Sequence, residues 1–331
     1  MLSPHSSPTL RALLDQGRLA EARGRHLEAR ELYECGLHSL APASAPEMAV
    51  QLLIAVGRTH LASGSIGPAR EVVEAAIALA QAPGLEGALA TALAARGRMR
   101  RLEGELVAAQ ADFVAARHHA LSVTRHDVAA LSASELATLA ELRGVTDEAV
   151  QHMEIAVSDF RAASDHAGAA RALERLASLY AFLKRWNAAE QAFAEAAAPA
   201  PGEGEDARIA ELELARADMA LDRANVERAS ASATRALEAA RRAGEGALVA
   251  RAVLLQGIVA RETGDLPLAQ QTLEHAYRQA QSREDLLLQA EVAKEIADLF
   301  ARQERHGQAL HALDRAYRAL IQLRGRELAP A

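Results

Sequence analysis

One alanine position recurs every 40 residues through most of this 331-residue chain. It first occurs in the segment from Gly24 to Tyr33, and no insertion or deletion disturbs the later copies. The eight alanines are Ala29, Ala69, Ala109, Ala149, Ala189, Ala229, Ala269 and Ala309. A fixed period of this length is typical of chains that fold as a row of stacked repeats. We therefore expect eight similar units rather than one large core.

Three further columns of residues follow the same period. A small residue stands twelve positions before each alanine, at Gly17, Gly57, Gly97, Ala137, Ala177, Ala217, Gly257 and Ala297. Another small residue stands seven positions after each alanine, from Gly36 to Ala316. Between these two later small residues of each copy lies Tyr33, Val73, Phe113, Met153, Phe193, Ala233, Leu273 or Leu313. Because small residues let helices approach closely, each copy is predicted to be a tightly packed helix pair. Copy six, where Ala233 replaces the bulky residue, is expected to pack least well.

Helix-breaking residues fall in the same phase. Glycines mark the turn inside five copies, at Gly24, Gly64, Gly104, Gly144 and Gly264. The turns between copies fall at 42–46, 83–84, 165–168, 199–204 and 244–246. The sequence thus predicts two helices of about 15–18 residues per copy, and no strands, since Val, Ile and Tyr are sparse. The breaker-rich run from Ala198 to Asp206 is interpreted as a turn rather than a domain linker, because the period passes through it unchanged.

In these columns and turns the chain resembles the tetratricopeptide-repeat family, in its longer 40-residue variety. The resemblance covers about residues 10–320, although most copies lack the family's large aromatic residue near the repeat start. It implies an all-α fold, a right-handed superhelical α-solenoid of tandem antiparallel helix pairs. The first helix of each repeat then lines a concave groove for peptides or helices. Residues 1–9 would be a flexible lead, and residues 321–331 a polar extension and tail of the last helix.

Charge and composition narrow the class of function. The net charge of −7 and the pI near 6.0 argue against a nucleic-acid-binding protein. No stretch approaches the roughly 18 apolar residues of a membrane span, and the N-terminus does not resemble a secretory signal. A cytoplasmic protein with neither membrane nor nucleic acid as a partner is predicted. Cys35 is the only cysteine, which excludes an internal disulfide, and we predict that it packs between helices.

The sequence contains no recognisable catalytic constellation. It has no Gly-Lys dipeptide and hence no phosphate-binding loop of the Walker type. The adjacent His118 and His119 would point about 100° apart on a helix and cannot easily share a metal. We therefore expect no enzymatic activity, no cofactor and no bound metal, and turnover of any substrate would revive the enzyme hypothesis.

The residue directly after the Gly17 column defines what the inner face presents. In chain order it is Arg18, Arg58, Arg98, Thr138, Ser178, Asp218, Ile258 and Asp298. Arg11 and Arg101 lie on the same helical faces as Arg18 and Arg98. The N-terminal third of the groove is thus predicted to be basic and to hold an acidic peptide, whereas the C-terminal third is mixed and more acidic. The alternative is that these arginines are solvated, or neutralised by Glu21 and Glu103.

Three large apolar residues lie near the middle of the same face: Leu131, Leu142 and Phe182. They either anchor a helix bound in the groove or pack against adjacent repeats. The leading hypothesis is a non-enzymatic scaffold or adaptor, of bacterial type, that binds a peptide or helix of another protein. The alternative is a ligand- or peptide-sensing regulatory module acting on a separate signalling or transcription effector. Since no output domain follows the repeats in this sequence, such a module would either act on a separate effector or be a fragment of a longer signalling protein.

Overall fold

The computed structural model describes residues 6–40, 45–197 and 205–328, and these residues form sixteen α-helices and no strand. The all-α prediction is confirmed. The chain divides into two compact units, and the boundary between Leu179 and Tyr180 falls inside the ninth helix. Most of the breaker-rich run, residues 198–204, lies outside the described residues.

The first unit contains eight helices and most of a ninth. They are α1 Ser6–Ala22, α2 His26–Ser39, α3 Pro46–Ala62, α4 Ile66–Ala80, α5 Glu86–Leu102, α6 Leu106–Ser122, α7 His126–Leu142, α8 Thr146–Ala162 and α9 His166–Phe182. The second unit continues with α10 Trp186–Ala196, α11 Glu205–Asp222, α12 Val226–Ala243, α13 Gly246–Glu262, α14 Leu266–Ser282, α15 Leu286–Arg302 and α16 His306–Leu328. Most are 14–18 residues long, as the spacing of the turns predicts.

Each unit is built from helix pairs packed in sequence order. An odd-numbered helix packs on the even-numbered helix that follows it, and that helix packs on the next odd-numbered one, as in α3, α4 and α5. Odd-numbered helices also contact each other across a repeat: α3 with α5 and α5 with α7 in the first unit, and α11 with α13 and α13 with α15 in the second. The odd-numbered helices of a unit therefore lie side by side and share one surface, here called the odd-helix face.

The glycine column lies where the two helices of a repeat touch. A β carbon built on Gly57 would lie 2.8 Å from Cγ2 of Val73, and one built on Gly257 would lie 2.6 Å from Cδ2 of Leu273. A β carbon on Gly17 would overlap the ring of Tyr33. The predicted contact between the small column and the bulky residue is confirmed for these copies. Only a residue without a side chain leaves room for the opposing group.

In copy six Ala217 and Ala233 are both fully buried, and Leu237 is buried with them. One copy departs from what the columns predict. In copy eight Leu313 is 47% exposed, while its neighbour Ala312 is fully buried. The prediction that Leu313 occupies the buried column is wrong. Its helix, α16, is the last one described and packs mainly on α15. Arg315 of α16 also stacks over Tyr277 of α14 at 4.6 Å to the ring centroid.

The side chain of Cys35 is exposed, so the prediction that it packs between helices is wrong. The inward-facing positions on α2 are taken by Tyr33 and Gly36, both buried. Cys35 lies between them in sequence and therefore points away from the core, because consecutive helical residues project about 100° apart.

Most of the described helices are followed closely by a residue in the left-handed conformation. At the end of α1, the amide of Gly24 donates to the carbonyl of Glu21 at 2.8 Å, and the amide of Arg25 donates to that of Ala20 at 2.9 Å. These two hydrogen bonds form a Schellman cap, which satisfies backbone carbonyls that the end of a helix leaves without a partner. The same positive φ recurs at non-glycine residues: Thr124, Ser164, Lys184, Ala224, Glu284 and Glu304.

Candidate functional site

The arginines at the start of the predicted groove line two cavities on the odd-helix face of the first unit. One cavity, of about 670 Å³, is lined by Arg11 and Arg18 together with Asp15 and Glu47. The other, of about 260 Å³, is lined by Arg18 and Arg58. The structure thus brings together Arg11, Arg18 and Arg58, which belong to α1 and α3.

Arg58 is held by a carboxylate from the preceding repeat. Its Nε donates to Oε1 of Glu21 at 2.8 Å, and the hydroxyl of Tyr33 donates to Oε2 of the same carboxylate at 2.7 Å. Burial would raise the pKa of Glu21, but the hydrogen bonds from Arg58 and Tyr33 hold it below its usual value. Burial, and then Glu21, raises the pKa of Tyr33 to about 12. Neutralisation by Glu21, one of the alternatives considered for these arginines, is therefore present at Arg58.

The other carboxylate considered for neutralisation has a different partner. Glu103 accepts from Nη2 of Arg70, on α4, at 2.6 Å, so its assignment to the groove arginines is wrong. Arg101 instead lies 3.2 Å from Glu135 of α7, measured from Nε to Oε2. Arg18 lies 3.7 Å from Asp15, and both side chains are largely exposed. Exposed pairs at that distance contribute little binding energy and exchange readily for another anion.

Arg98 differs from the other arginines predicted to line the groove. It is half-buried on α5, and among the described residues it forms no ion pair. Burial lowers its pKa, Glu135 opposes that effect, and the positive charges of Arg58 and Arg101 lower it further. A guanidinium stays protonated in spite of such a shift. Arg98 is thus a partly desolvated cation, without a contacting carboxylate in the described part of the chain, between two other arginines.

The remaining predicted groove residues occupy α7 and the end of α9. The hydroxyl of Thr138 accepts from Nη2 of Arg175 at 2.9 Å, and Arg175 also donates to Glu141 at 2.6 Å. Sequence reasoning missed Arg175, whose position is not arginine in any other copy. Leu131 is 48% exposed.

The three apolar residues predicted to face the groove keep much of their surface exposed. Leu142 is 59% exposed in the first unit, and Phe182 is 74% exposed in the second. With Leu131 at 48%, none of the three belongs to the buried core. They remain accessible apolar surface, which is the state that a bound helix requires of an anchor position.

The odd-helix face of the second unit carries carboxylates. Asp218 on α11 is influenced by Arg251, Asp222 and Glu291, all from this unit. Partial burial raises the pKa of Asp218 to about 6; Arg251 lowers it, and Asp222 and Glu291 raise it. The first unit's face is therefore rich in arginine, and that of the second contains a carboxyl group, Asp218, whose pKa is raised.

The described residues present neither a cluster of metal ligands nor a membrane-spanning helix. No group of three or more histidine, cysteine, aspartate or glutamate side chains is arranged to hold a metal ion within the described ranges. None of the helices, as far as the structure describes them, is long and apolar enough to cross a membrane.

Comparison with known proteins places the fold. No family model matches the sequence, and no curated protein matches it. Solved structures do match. A signal-transduction ATPase with a tetratricopeptide-repeat sensor from Pyrococcus horikoshii has a TM-score of 0.68 at 14% identity, over 96% of this chain and 49% of its own. The quorum sensor NprR from B. thuringiensis, in its apo form, has a TM-score of 0.57 at 12% identity, over 95% and 98% of the two chains.

A third similar structure is BtubC from P. vanneervenii, with a TM-score of 0.55 at 21% identity, over 71% of this chain and 92% of that one. The chain spans about half the length of the ATPase and nearly all of NprR. Likeness at these identities shows the fold alone. The chain has the all-α solenoid fold of the tetratricopeptide-repeat proteins, as its columns of small residues predict.

Proposed function

We propose that the protein is a non-enzymatic interaction module that binds an acidic segment of a partner protein on the odd-helix face of its first unit. The observation that carries this proposal is Arg98, a half-buried arginine without an ion pair among the described residues. Leaving a charge partly desolvated and uncompensated costs stability. A carboxylate from another chain would compensate it.

The surroundings of Arg98 favour a peptide over an isolated anion. Arg18 and Arg58 line the neighbouring cavity, so cationic groups follow one another from α1 to α5. Leu131, on α7, adds exposed apolar surface. Acidic side chains spaced along an extended or helical segment can engage several arginines in turn, each through charge-assisted hydrogen bonds.

The second candidate function is a regulatory module that responds to a small ligand or peptide. It is favoured by two of the similar structures, one described as a quorum sensor and one as containing a tetratricopeptide-repeat sensor. Those descriptions belong to the other proteins. Both candidates predict a bound segment or ligand on the same face, but only the sensor requires that binding alter the state of a separate effector.

The test is a peptide-display selection on the wild-type protein, with depletion on the Arg98→Glu variant. Depletion removes every peptide that also binds the Arg98→Glu variant. The peptides that remain need the positive charge of Arg98, and we expect them to contain clusters of Asp and Glu. Synthetic versions should bind by fluorescence anisotropy and should lose at least about tenfold in affinity to Arg98→Gln, the usual cost of one charge-assisted hydrogen bond.

Two controls make the result specific. Arg278→Gln changes an exposed arginine on α14, in the other unit, and should leave peptide affinity unchanged. Arg58→Gln should have a smaller effect than Arg98→Gln, because Glu21 already occupies Arg58. Enrichment of peptides without acidic residues, or equal losses for Arg98→Gln and Arg278→Gln, would refute the proposed site. Circular dichroism spectra of the variants establish that each remains helical.

A further inference from the structure

Copy six contains a concentration of arginine that the repeat pattern does not explain. Four arginines line one cavity of about 330 Å³ in the second unit: Arg216 and Arg223 from α11, and Arg228 and Arg235 from α12. Glu190 from α10 completes its charged lining. This site is here called the four-arginine pocket. It is distinct from the groove proposed above, which belongs to the first unit.

The arginines are specific to this copy. At the four equivalent positions, each offset by a multiple of 40 residues, no other copy holds more than one arginine. Copy four, for example, has Leu136, Arg143, Glu148 and Ile155 there. A structural requirement of the fold would recur with the period, as the small-residue columns do. The repeat fold itself therefore does not require these four arginines.

Carboxylates and aromatic rings hold the guanidinium groups in place without neutralising them. Glu213, only 5% exposed, accepts from Nη1 of Arg216 at 2.9 Å and from Nη2 of Arg235 at 2.8 Å. Burial would raise the pKa of Glu213, but hydrogen bonds from Arg235, Arg216 and Ser232 keep it below its usual value, so this carboxylate is charged.

Glu190 pairs with the two remaining arginines. It lies 2.9 Å from Arg228 and 3.7 Å from Arg223. The guanidinium of Arg223 also stacks over Trp186 at 5.8 Å, and that of Arg216 over Phe193 at 5.9 Å, measured to the ring centroids. Among the described residues, four guanidinium groups thus face two carboxylates, which leaves an excess of two positive charges around one cavity.

One donor in this cluster has no partner. Nε of Arg216 is buried and makes no hydrogen bond among the described residues. This nitrogen has no accessible surface, so a molecule in the cavity would meet the other guanidinium nitrogens of the pocket and not Nε of Arg216. An anion with several acceptor oxygens would compensate the excess charge.

We propose that the four-arginine pocket binds the phosphoryl group of a small phosphorylated molecule. A phosphate monoester carries about −1.5 to −2 charges at pH 7 and three strong acceptor oxygens, which match the excess of two charges and the fork geometry of arginine. A carboxylate supplies one charge and two oxygens. The cavity lies at the small end of the usual range for ligand pockets, about 300–1,000 Å³, and its arginines are confined to one repeat, so it fits a small ligand better than an extended peptide.

The test uses phenyl phosphate as the probe, with inorganic phosphate and benzoate as comparison ligands, in isothermal titration calorimetry on the full chain. We expect phenyl phosphate to bind and benzoate not to bind. Binding of inorganic phosphate as well would assign recognition to the phosphoryl group alone. If phenyl phosphate binds and inorganic phosphate does not, the ester group also contacts the pocket. Either result supports the proposal, whereas benzoate binding as tightly as phenyl phosphate would overturn it.

Substitution of single arginines tests whether phenyl phosphate binds in the four-arginine pocket. Arg228→Gln changes a side chain that is 57% exposed, so the fold should tolerate it, and it should weaken phenyl phosphate binding at least about tenfold. The matched control is Arg143→Gln, the equivalent of Arg223 in copy four, which should leave binding unchanged. No detectable heat with either phosphate compound at millimolar concentration, or equal losses in the two variants, would overturn the proposal. Because the groove variant Arg98→Gln lies in the other unit, its result is independent of this one.

Discussion

At the scale of single residues, Gly97 shows how closely the two helices of a repeat approach. A β carbon there would lie 2.7 Å from Cε1 and 2.9 Å from Cδ1 of Phe113, a fully buried ring. In copy four, by contrast, Ala137 stands in the same column and the flexible Met153 opposes it; both are buried. Copy five accommodates Ala177 with the buried ring of Phe193, so a rigid partner alone does not demand glycine. At position 97 glycine is required because the Phe113 ring approaches too closely to leave room for a methyl group.

We expect Gly97→Ala to lower the free energy of unfolding by about 1–3 kcal/mol, the usual cost of overpacking a core. This loss should outweigh the gain of up to about 1 kcal/mol in helix propensity that alanine brings. Urea unfolding followed by circular dichroism measures the difference. The control is Gly307→Ala on α16, where no atom lies within 4 Å of the new methyl group. A loss of stability in the control equal to that of Gly97→Ala would contradict the steric argument.

The small-residue columns could be predicted from sequence because each is a repeated local pattern. The ion pairs of the arginines could not be predicted in this way. Arg58 and Glu21 are 37 residues apart, and Arg70 and Glu103 are 33 apart. Their contacts depend on how one repeat is set against the next, which the period alone does not determine. The sequence therefore proposed Arg18, Arg58 and Arg98 as equals, and the structure distinguishes Arg98 by its surroundings.

At the scale of helices and turns, one residue after most of the described helices adopts the left-handed conformation. The φ angles at Gly144 and Gly264 are 75° and 84°, and at the equivalent Ala224 the angle is 52°. The sequence marked the glycine turns but not the alanine turn. In copy six the packing of α11 on α12 holds the turn where an isolated peptide would not adopt it, since a left-handed residue with a side chain costs about 1–2 kcal/mol.

Replacing Ala224 with glycine should therefore stabilise the protein, by about 0.5–1 kcal/mol. The relief of the left-handed strain exceeds the greater chain entropy that glycine adds to the unfolded state. The reciprocal change, Gly144→Ala, should destabilise by about 1 kcal/mol although its new methyl group meets no atom within 4 Å. Thermal unfolding midpoints of the two variants test this pair. Shifts of the same sign would show that the backbone angle is not the cause.

At the scale of the whole molecule, the two units present different chemistry on the same kind of scaffold. The basic odd-helix face of the first unit was predictable, since its arginines share one register. The four-arginine pocket was not, because its residues come from three helices and from several register positions, spread from Glu190 to Arg235. Sites that follow the repeat can be found from the period. Sites that depart from it require the three-dimensional arrangement.

The acidic face of the second unit makes a prediction about pH. The pKa of Asp218 is about 6 in the folded state, against an ordinary value of 3.8. The folded state thus binds this proton more tightly than the unfolded state, and so Asp218 lowers the free energy of unfolding as pH rises from about 4 to about 6. The helices around Asp218 desolvate its carboxyl group in part, but its side chain keeps an exposed surface. Solvent therefore screens the effect and limits it to about 1 kcal/mol or less.

Asp218→Asn removes the ionisation while keeping a similar shape. We expect this variant to be more stable than the wild type at pH 7, and the difference to shrink toward pH 4, where Asp218 is protonated in the folded protein. Urea unfolding at several pH values gives the difference, and the carboxyl ¹³C shift of Asp218 gives its midpoint directly. Arg251→Gln should raise that midpoint further, because the charge of Arg251 favours the ionised form. A midpoint near 4 in the wild type, with a stability difference independent of pH, would show that the helices around Asp218 do not desolvate it.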